Sequence, residues 1–222
     1  MKCILTLVFS LVIVVTLNAG DELPIVGAIR WDAYYGDGGV TKAVEFSLGQ
    51  PKFHFRLPWF AQLLGEDKVL INGDSQAIME QEITYAAQAG LNYWAFLDYL
   101  DEAPSMTIGL NRYLGAKDKK GVRYCLVEEG SRLDKAGTKA WKQLVEHFRH
   151  PHYQTVLGGR PLLYLFGKTT NLNKPEWDEL KRQSVSVGLK SPYLVLMGWN
   201  PAEDARRMVE TGQSLQASKG SA

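Results

Sequence analysis

The stretch EITYAAQAGLNYWAFLDY, residues 82–99, contains one complete transition from a helix to a strand. Its first half continues a segment for which Asp74 is the predicted N-cap, and Gly90 is the expected end of this helix. Its second half, 91–99, is apolar without alternation, which is typical of a strand that is buried on both faces. The chain therefore passes from a helix into a buried strand within these residues.

Similar apolar runs recur along the chain, each rich in β-branched or aromatic residues. The predicted strands are IVGAIRW (25–31), LNYWAFLDY (91–99), VRYCLVEE (122–129), PLLYLFG (161–167) and PYLVLMGW (192–199). From the second run onward their starts are 30 to 39 residues apart, which is the length of a βαβ unit.

Helical patterns lie between the predicted strands, so that strands and helices alternate along the chain. The predicted helices are 138–148, 175–188 and 200–212, with a weaker helix in 106–120. Strict alternation of strands and helices predicts a parallel α/β architecture. Because neither a dinucleotide-binding nor a phosphate-loop glycine motif occurs, a (β/α)8 TIM barrel is favoured. A closed barrel has eight units in about 250 residues, so we expect a barrel truncated to about five βα units, with an unpaired strand edge.

The amino terminus has the features of a secretory signal peptide. Lys2 precedes an uncharged stretch that ends at Gly20. We therefore expect a signal peptide at 1–20, a partial barrel domain at 21–222, and a secreted or periplasmic location. An uncleaved segment acting as a membrane anchor is the alternative. Cys125 would then be the single cysteine of the mature chain, and we interpret it as a core residue.

Composition narrows the class of partner and cofactor. With 25 Lys+Arg against 24 Asp+Glu, the chain lacks the basic excess that a nucleic-acid surface needs. No cofactor is predicted. His147, His150 and His152 have a spacing that metal sites use, but we interpret them as the end of a helix and predict no metal site.

Acidic and aromatic residues recur at the predicted carboxyl ends of the strands, where α/β barrels carry their active sites. This combination suits glycoside hydrolysis, which uses two carboxyl groups, with aromatic rings available to stack on sugars. The candidate catalytic residues are Glu128, Glu129 and Asp98. The candidate substrate-binding residues are Trp31, Asp32, Tyr35, Trp59, Trp94, Tyr99, Trp199 and Asn200. For each acid, a solvated or helix-capping role is the alternative.

A long segment, 36–73, follows the first predicted strand and contains PKFHFRLPWFAQ (51–62). Loops of this length are usually functional or disordered. The density of aromatic residues predicts either an ordered wall of a pocket or a loop that packs a small core of its own.

Two segments of the sequence resemble a known family. Residues 82–99 and HFRHPHYQTVLGGRPLLYLFG (147–167) are similar to the glycoside hydrolase family 99-like group, which includes endo-α-mannosidase-type proteins and is similar in layout to family 71. The resemblance covers roughly 25–200 and implies a (β/α)8 barrel that acts on an α-linked glycan. It also implies two catalytic glutamates three residues apart.

In LVEEGSR, Glu128 matches the first of these glutamates best, with Glu129 as the alternative, but Ser131 stands at the second position. Another acid could serve, this branch could have a different activity, or it could be inactive. The first hypothesis is therefore an exported glycoside hydrolase. The alternative is a non-catalytic carbohydrate-binding protein or degenerate fragment on the same scaffold, and a different class of barrel enzyme is the third.

Overall fold

The computed structural model describes residues 24–100, 104–166 and 174–198, together with Arg206. The predicted signal peptide, Trp199, Asn200 and all of the predicted helix 200–212 except Arg206 lie outside the described residues. Among the described helices, none has the length and apolar character needed to cross a membrane.

A parallel sheet organises the fold. The strands are β1 Gly27–Arg30, β2 Gln62–Leu63, β3 Val69–Leu70, β4 Tyr93–Asp98, β5 Arg123–Glu129, β6 Thr155–Val156, β7 Arg160–Phe166 and β8 Tyr193–Met197. Strands β1, β4, β5, β7 and β8 pair in that order, all parallel, while β6 is antiparallel to the start of β7. Each of these five parallel strands lies within one of the five apolar runs, which confirms the predicted strands. The architecture is mixed α/β with a mostly parallel sheet, consistent with part of a TIM barrel; within the described residues β1 and β8 do not meet.

Helices follow or precede the strands as the alternation predicts. They are α1 Gly39–Leu48, α2 Gln76–Gln88, α3 Ile108–Gly115, α4 Gly130–Ala136, α5 Thr138–Phe148 and α6 Lys174–Ser186, with 3-10 turns at Pro51–Arg56 and Pro104–Thr107. The helix predicted in 106–120 is shorter than expected, since α3 ends at Gly115.

The predicted N-cap of α2 is wrong. Ser75 occupies the N-cap position, and the Asp74 carboxylate instead accepts two hydrogen bonds from the Arg112 guanidinium of α3, at 2.8 and 2.9 Å. Asp74 therefore binds a charged residue 38 positions away in the chain. The other end is as predicted, since Gly90 follows the helix in the left-handed conformation, with φ of 79°.

The two faces of the sheet have different surroundings, because successive side chains of a strand point to opposite sides. On the side called here the helix face, Tyr113 of α3 packs its ring against Trp94, Phe96 and Tyr124, with centroids 5.4 to 6.1 Å apart. The opposite side, called the inner face, carries alternate residues of the same strands. There the hydroxyls of Tyr93 and Tyr164 lie 2.7 Å apart.

The segment 36–73 is not a structureless loop. It contains α1, a 3-10 turn and the antiparallel β2–β3 pair. The Glu45 carboxylate of α1 accepts a hydrogen bond of 2.9 Å from the Ile71 amide, which ties α1 to the residues that follow β3. Its aromatic residues are partly exposed, with Phe55 at 80%.

Candidate active site

A cavity of about 280 Å³ opens at the carboxyl ends of β1, β4, β5 and β7, and is called here the inner cavity. Its lining residues are Trp31, Leu97, Asp98, Tyr99, Val127, Glu129, Arg132 and Phe166. Its volume is near the lower end of the range of about 300–1,000 Å³ that is usual for small-molecule sites. The cavity is therefore suited to a small ligand or to one unit of a larger one.

One wall of the inner cavity is aromatic. The indole Nε1 of Trp31 donates a hydrogen bond of 3.0 Å to the Tyr99 hydroxyl, and the Arg132 guanidinium lies 4.9 Å from the centroid of the Tyr99 ring. Trp31 remains 55% exposed. Its orientation is thus defined by a hydrogen bond while much of its surface stays available to a ligand.

Glu129 supplies a carboxylate to the cavity. It is the last residue of β5 and the N-cap of α4, so the first turn of that helix passes beside its side chain. Ser131 Oγ donates to Oε1 at 2.6 Å, and Arg132 Nε donates to Oε2 at 2.9 Å. Because both oxygens accept hydrogen bonds and one donor is cationic, the arrangement favours the ionised form.

Glu128 lies on the other side of the strand. It is on the helix face, its side chain is wholly buried, and no donor among the described residues forms a hydrogen bond with either carboxyl oxygen. Burial, together with the neighbouring Asp98 carboxyl, raises the pKa of Glu128 well above its ordinary value. Because the carboxyl group is buried without a donor, its protonated form is favoured, and in that form it can donate its hydrogen to Asp98.

Asp98 lies at the junction between the two faces. It pairs with Glu128 in the β4–β5 register and lines the inner cavity. It also lines a cleft of about 510 Å³ between α3 and α5, called here the rear cleft. Its Oδ1 accepts hydrogen bonds from the amides of Tyr99 and Leu100, at 2.7 and 3.3 Å. These bonds hold the carboxyl group at the end of its strand.

His147 borders the rear cleft beside the acid pair. Its Nδ1 lies 3.0 Å from the Tyr124 hydroxyl, and burial lowers the pKa of its imidazole. The helix α5 ends at Phe148, within the HFRHPH segment. Across the described ranges, no group of three or more acidic, histidine or cysteine side chains is arranged to hold a metal ion.

Asp32 and Tyr35 are buried in an ionic network on the helix face. Arg30 donates to Asp32 at 2.6 Å, to Glu82 at 2.8 Å and to the Tyr35 hydroxyl at 2.5 Å, and Tyr35 in turn donates to Glu82 at 3.0 Å. Burial raises the pKa of Asp32, although the Arg30 guanidinium opposes this shift. This network engages Asp32 Oδ1 and the Tyr35 hydroxyl, and neither residue lines the inner cavity.

The predicted tryptophans are separated by the fold. Trp94 is buried in the core of the helix face, 4.6 Å from the Arg30 guanidinium, and is not placed at the cavity. Trp59 is 54% exposed in the segment 36–73, edge-on to Tyr85 of α2, and does not line the inner cavity. Of the aromatic candidates within the described residues, Trp31 and Tyr99 are the ones that line the inner cavity.

Sequence reasoning missed Arg132. This residue reaches both the Glu129 carboxylate and the Tyr99 ring. Its spacing of three from Glu129 is one at which side chains meet on a helix, and that spacing was the available signal. In the sequence, the apolar residues of the cavity could not be distinguished from other residues of the apolar strands.

Comparison with known proteins identifies a fold. No protein-family model matches the sequence, and no curated protein matches it at a significant level. The solved structure of the GH99 endo-alpha-mannosidase from Bacteroides thetaiotaomicron matches with a TM-score of 0.54 and 13% identity, covering 84% of this chain and 59% of that one. A glycoside hydrolase-like protein matches with a TM-score of 0.48 and 14% identity, over 82% and 56% of the two chains. The chain spans less than two thirds of each of these structures. The likeness to the first establishes a glycoside hydrolase-like fold.

Proposed function

We propose that the chain is a glycoside hydrolase that binds an α-linked glycan in the inner cavity and cleaves it with Glu129 and Asp98. The observation that carries this proposal is the joint presence of two carboxyl groups and an exposed, oriented indole in one cavity. The likeness to a solved endo-alpha-mannosidase supports the choice of an α-linked glycan.

Each cavity residue has a distinct role in this proposal. The exposed ring of Trp31 stacks on the apolar face of a sugar, and Arg132 binds hydroxyl groups. Glu129, held between Ser131 and Arg132, is the ionised group and acts as nucleophile or as base toward water. Asp98 is the second acid and protonates the oxygen of the leaving sugar.

The test is hydrolysis of α-linked mannose and glucose oligosaccharides by the full chain, compared with its Glu129→Gln variant. We expect turnover to fall about 10²- to 10⁴-fold in the variant, with unchanged thermal unfolding. Glu80→Gln, the same chemical change at an exposed position of α2, is the matched control and should leave turnover unchanged. Equal rates in wild type and Glu129→Gln would remove Glu129 from the reaction.

A carbohydrate-binding protein without hydrolysis is the second candidate. The observation that favours it is the engagement of both Glu129 oxygens by Ser131 and Arg132. Saturable binding of the same oligosaccharides, monitored by tryptophan fluorescence with no release of products, would establish this alternative.

Export is also part of the proposal, on the grounds of the sequence pattern of residues 1–20. Expression of the full chain in a secreting host, followed by amino-terminal sequencing of the exported product, tests it. A mature terminus near Asp21 is expected, and a product that retains Met1 inside the cell would contradict it.

A further inference from the structure

The buried carboxyl group of Glu128 is unusual: in the described part of the chain, its two oxygens and Trp177 Nε1 are the buried side-chain polar atoms without a hydrogen-bond partner. It is wholly inaccessible, it lies directly beside Asp98 in the sheet, and both of its oxygens lack a donor. A buried ionised carboxylate with no donor is strongly disfavoured. As a protonated acid, however, it needs an acceptor, and the Asp98 carboxyl provides one.

The position of Asp98 connects this buried acid with the inner cavity. Asp98 lines the cavity, whereas Glu128 lies behind it on the helix face. Two backbone amides hold Asp98 in place, so the geometry between the two acids is defined by the backbone of β4 and β5. The two carboxyl groups are therefore neighbours at the ends of paired strands, where one proton can be shared between them.

We propose that Glu128 is a positioning residue that holds the proton which Asp98 delivers to the leaving sugar. The inference rests on the proposed function of the inner cavity and deepens it, since it explains how an aspartate supplies a proton near neutral pH. In the resting state the hydrogen is on Glu128 and is donated to Asp98.

The proposed cleavage step moves one proton along the acid pair. As the glycosidic C–O bond breaks, the single proton of the pair moves from Glu128 to Asp98 and from Asp98 to the leaving oxygen, which leaves both carboxyl groups ionised. Glu129 attacks the anomeric carbon or takes a proton from the attacking water. In the following step the pair regains its proton from water, so that it acts first as acid and then as base.

Other titratable groups surround the pair. On the helix side, Tyr153 faces Glu128, and Tyr124 and His147 face Asp98. Further groups line the two spaces that Asp98 borders: Lys142, Glu146 and His150 in the rear cleft, and Tyr99, Glu129 and Arg132 in the inner cavity. The buried hydroxyls do not ionise in the neutral range, because burial raises the pKa of Tyr124 and that of Tyr153. The acid that can share a proton with Asp98 on this side is therefore Glu128.

The first measurement tests the pair in the free protein. Infrared difference spectra of wild type minus Glu128→Gln at pH 7 should contain the carbonyl band of a protonated carboxylic acid. This band should shift in Asp98→Asn, because the acceptor changes, and should be unchanged in Glu80→Gln. Absence of the band in the wild type, or a band insensitive to Asp98→Asn, would overturn the inference.

The second measurement tests delivery of the proton. Hydrolysis of an α-glycoside with an unactivated leaving group should fall about 10²- to 10⁴-fold in Glu128→Gln. A dinitrophenyl α-glycoside, whose leaving group needs no proton, should be cleaved at nearly the wild-type rate. The alkaline limb of the kcat/KM profile should also move to lower pH in Glu128→Gln. Equal losses on both substrates would show a merely structural role and overturn the inference.

The two proposals fail in different ways. If the wild type cleaves neither substrate, the proposed function fails while the infrared band still reports on the acid pair. If the wild type cleaves both substrates and the band is absent, the function stands and the inference about Glu128 fails.

Discussion

The indole of Trp31 is hydrogen-bonded to the hydroxyl of Tyr99 at 3.0 Å, and this bond joins the carboxyl ends of β1 and β4 at the inner cavity. These residues are 68 positions apart in the chain. Adjacent parallel strands bring their carboxyl ends together, so the bond depends on the sheet rather than on local sequence. It orients an exposed ring that would otherwise sample several rotamers.

Replacing Trp31 with Ala should weaken glycan binding by about tenfold or more, equivalent to about 1.4 kcal/mol. The stacking surface is lost, whereas the carboxyl groups stay in place. Titration of the full chain with α-linked oligosaccharides measures the change in Kd. Trp59→Ala is a matched control, because Trp59 is exposed to the same extent, 54% against 55%, but lies outside the cavity. A larger loss in Trp59→Ala would relocate the binding site to the segment 36–73.

Removing the cation of the buried network should destabilise the fold. Arg30→Met leaves the carboxylates of Asp32 and Glu82 without their partner, and breaking a buried pair in this way costs about 3–5 kcal/mol. Urea unfolding followed by circular dichroism measures the free energy of unfolding. Lys42→Met, which removes an exposed ion pair with Glu45, should cost at most about 1 kcal/mol. Equal effects of the two variants would show that the network contributes little.

A close contact on the inner face should make Gly27 sensitive to substitution. The Tyr93 ring lies over Gly27, so that a Cβ atom added there would overlap the ring. Gly27→Ala should therefore lower the free energy of unfolding by about 1–3 kcal/mol. In the background of Tyr93→Ala, the same substitution should have little effect. A loss of equal size in both backgrounds would exclude the ring as the cause.

Protonation of Glu128 predicts a pH dependence of stability. Because its pKa is raised in the folded state, the native chain keeps a proton that the unfolded chain releases above about pH 4.5. Unfolding therefore becomes easier as pH rises, by up to about 1.4 kcal/mol per pH unit, until the raised folded pKa is reached. Glu128→Gln has no carboxyl group at this position. The difference in the free energy of unfolding, variant minus wild type, should therefore increase between pH 5 and pH 7.

Urea unfolding of both proteins at several pH values measures this difference. Glu80→Gln, at an exposed position, should differ from wild type by an amount that does not change with pH. A constant difference for Glu128→Gln as well would show that Glu128 has the same pKa in the folded and unfolded chain.

The five strands could be predicted because each is an unbroken apolar run of the length that a buried parallel strand needs, and the spacing between them left room for one crossover helix. Helix α5 was predicted with its bounds because Trp141, Leu144, Val145 and Phe148 repeat at helical spacing, and all four are buried. The segment 36–73 was less well predicted, since its short elements depend on contacts such as that of Glu45 with Ile71 rather than on a repeating pattern.

The sequence by itself thus determined the strands, most of the helices and the edge of the sheet at which polar residues gather, because these follow from local periodicity. The tertiary structure decided which of those residues meet. Glu128 and Glu129 are neighbours in the chain, but the pleat places one in the core and the other in the inner cavity. Tyr35 donates to Glu82, which comes from α2, and Asp32 is paired with Arg30, which also binds Glu82. Such assignments depend on which face of the sheet the helices cover, and that is set by packing between residues far apart in the chain.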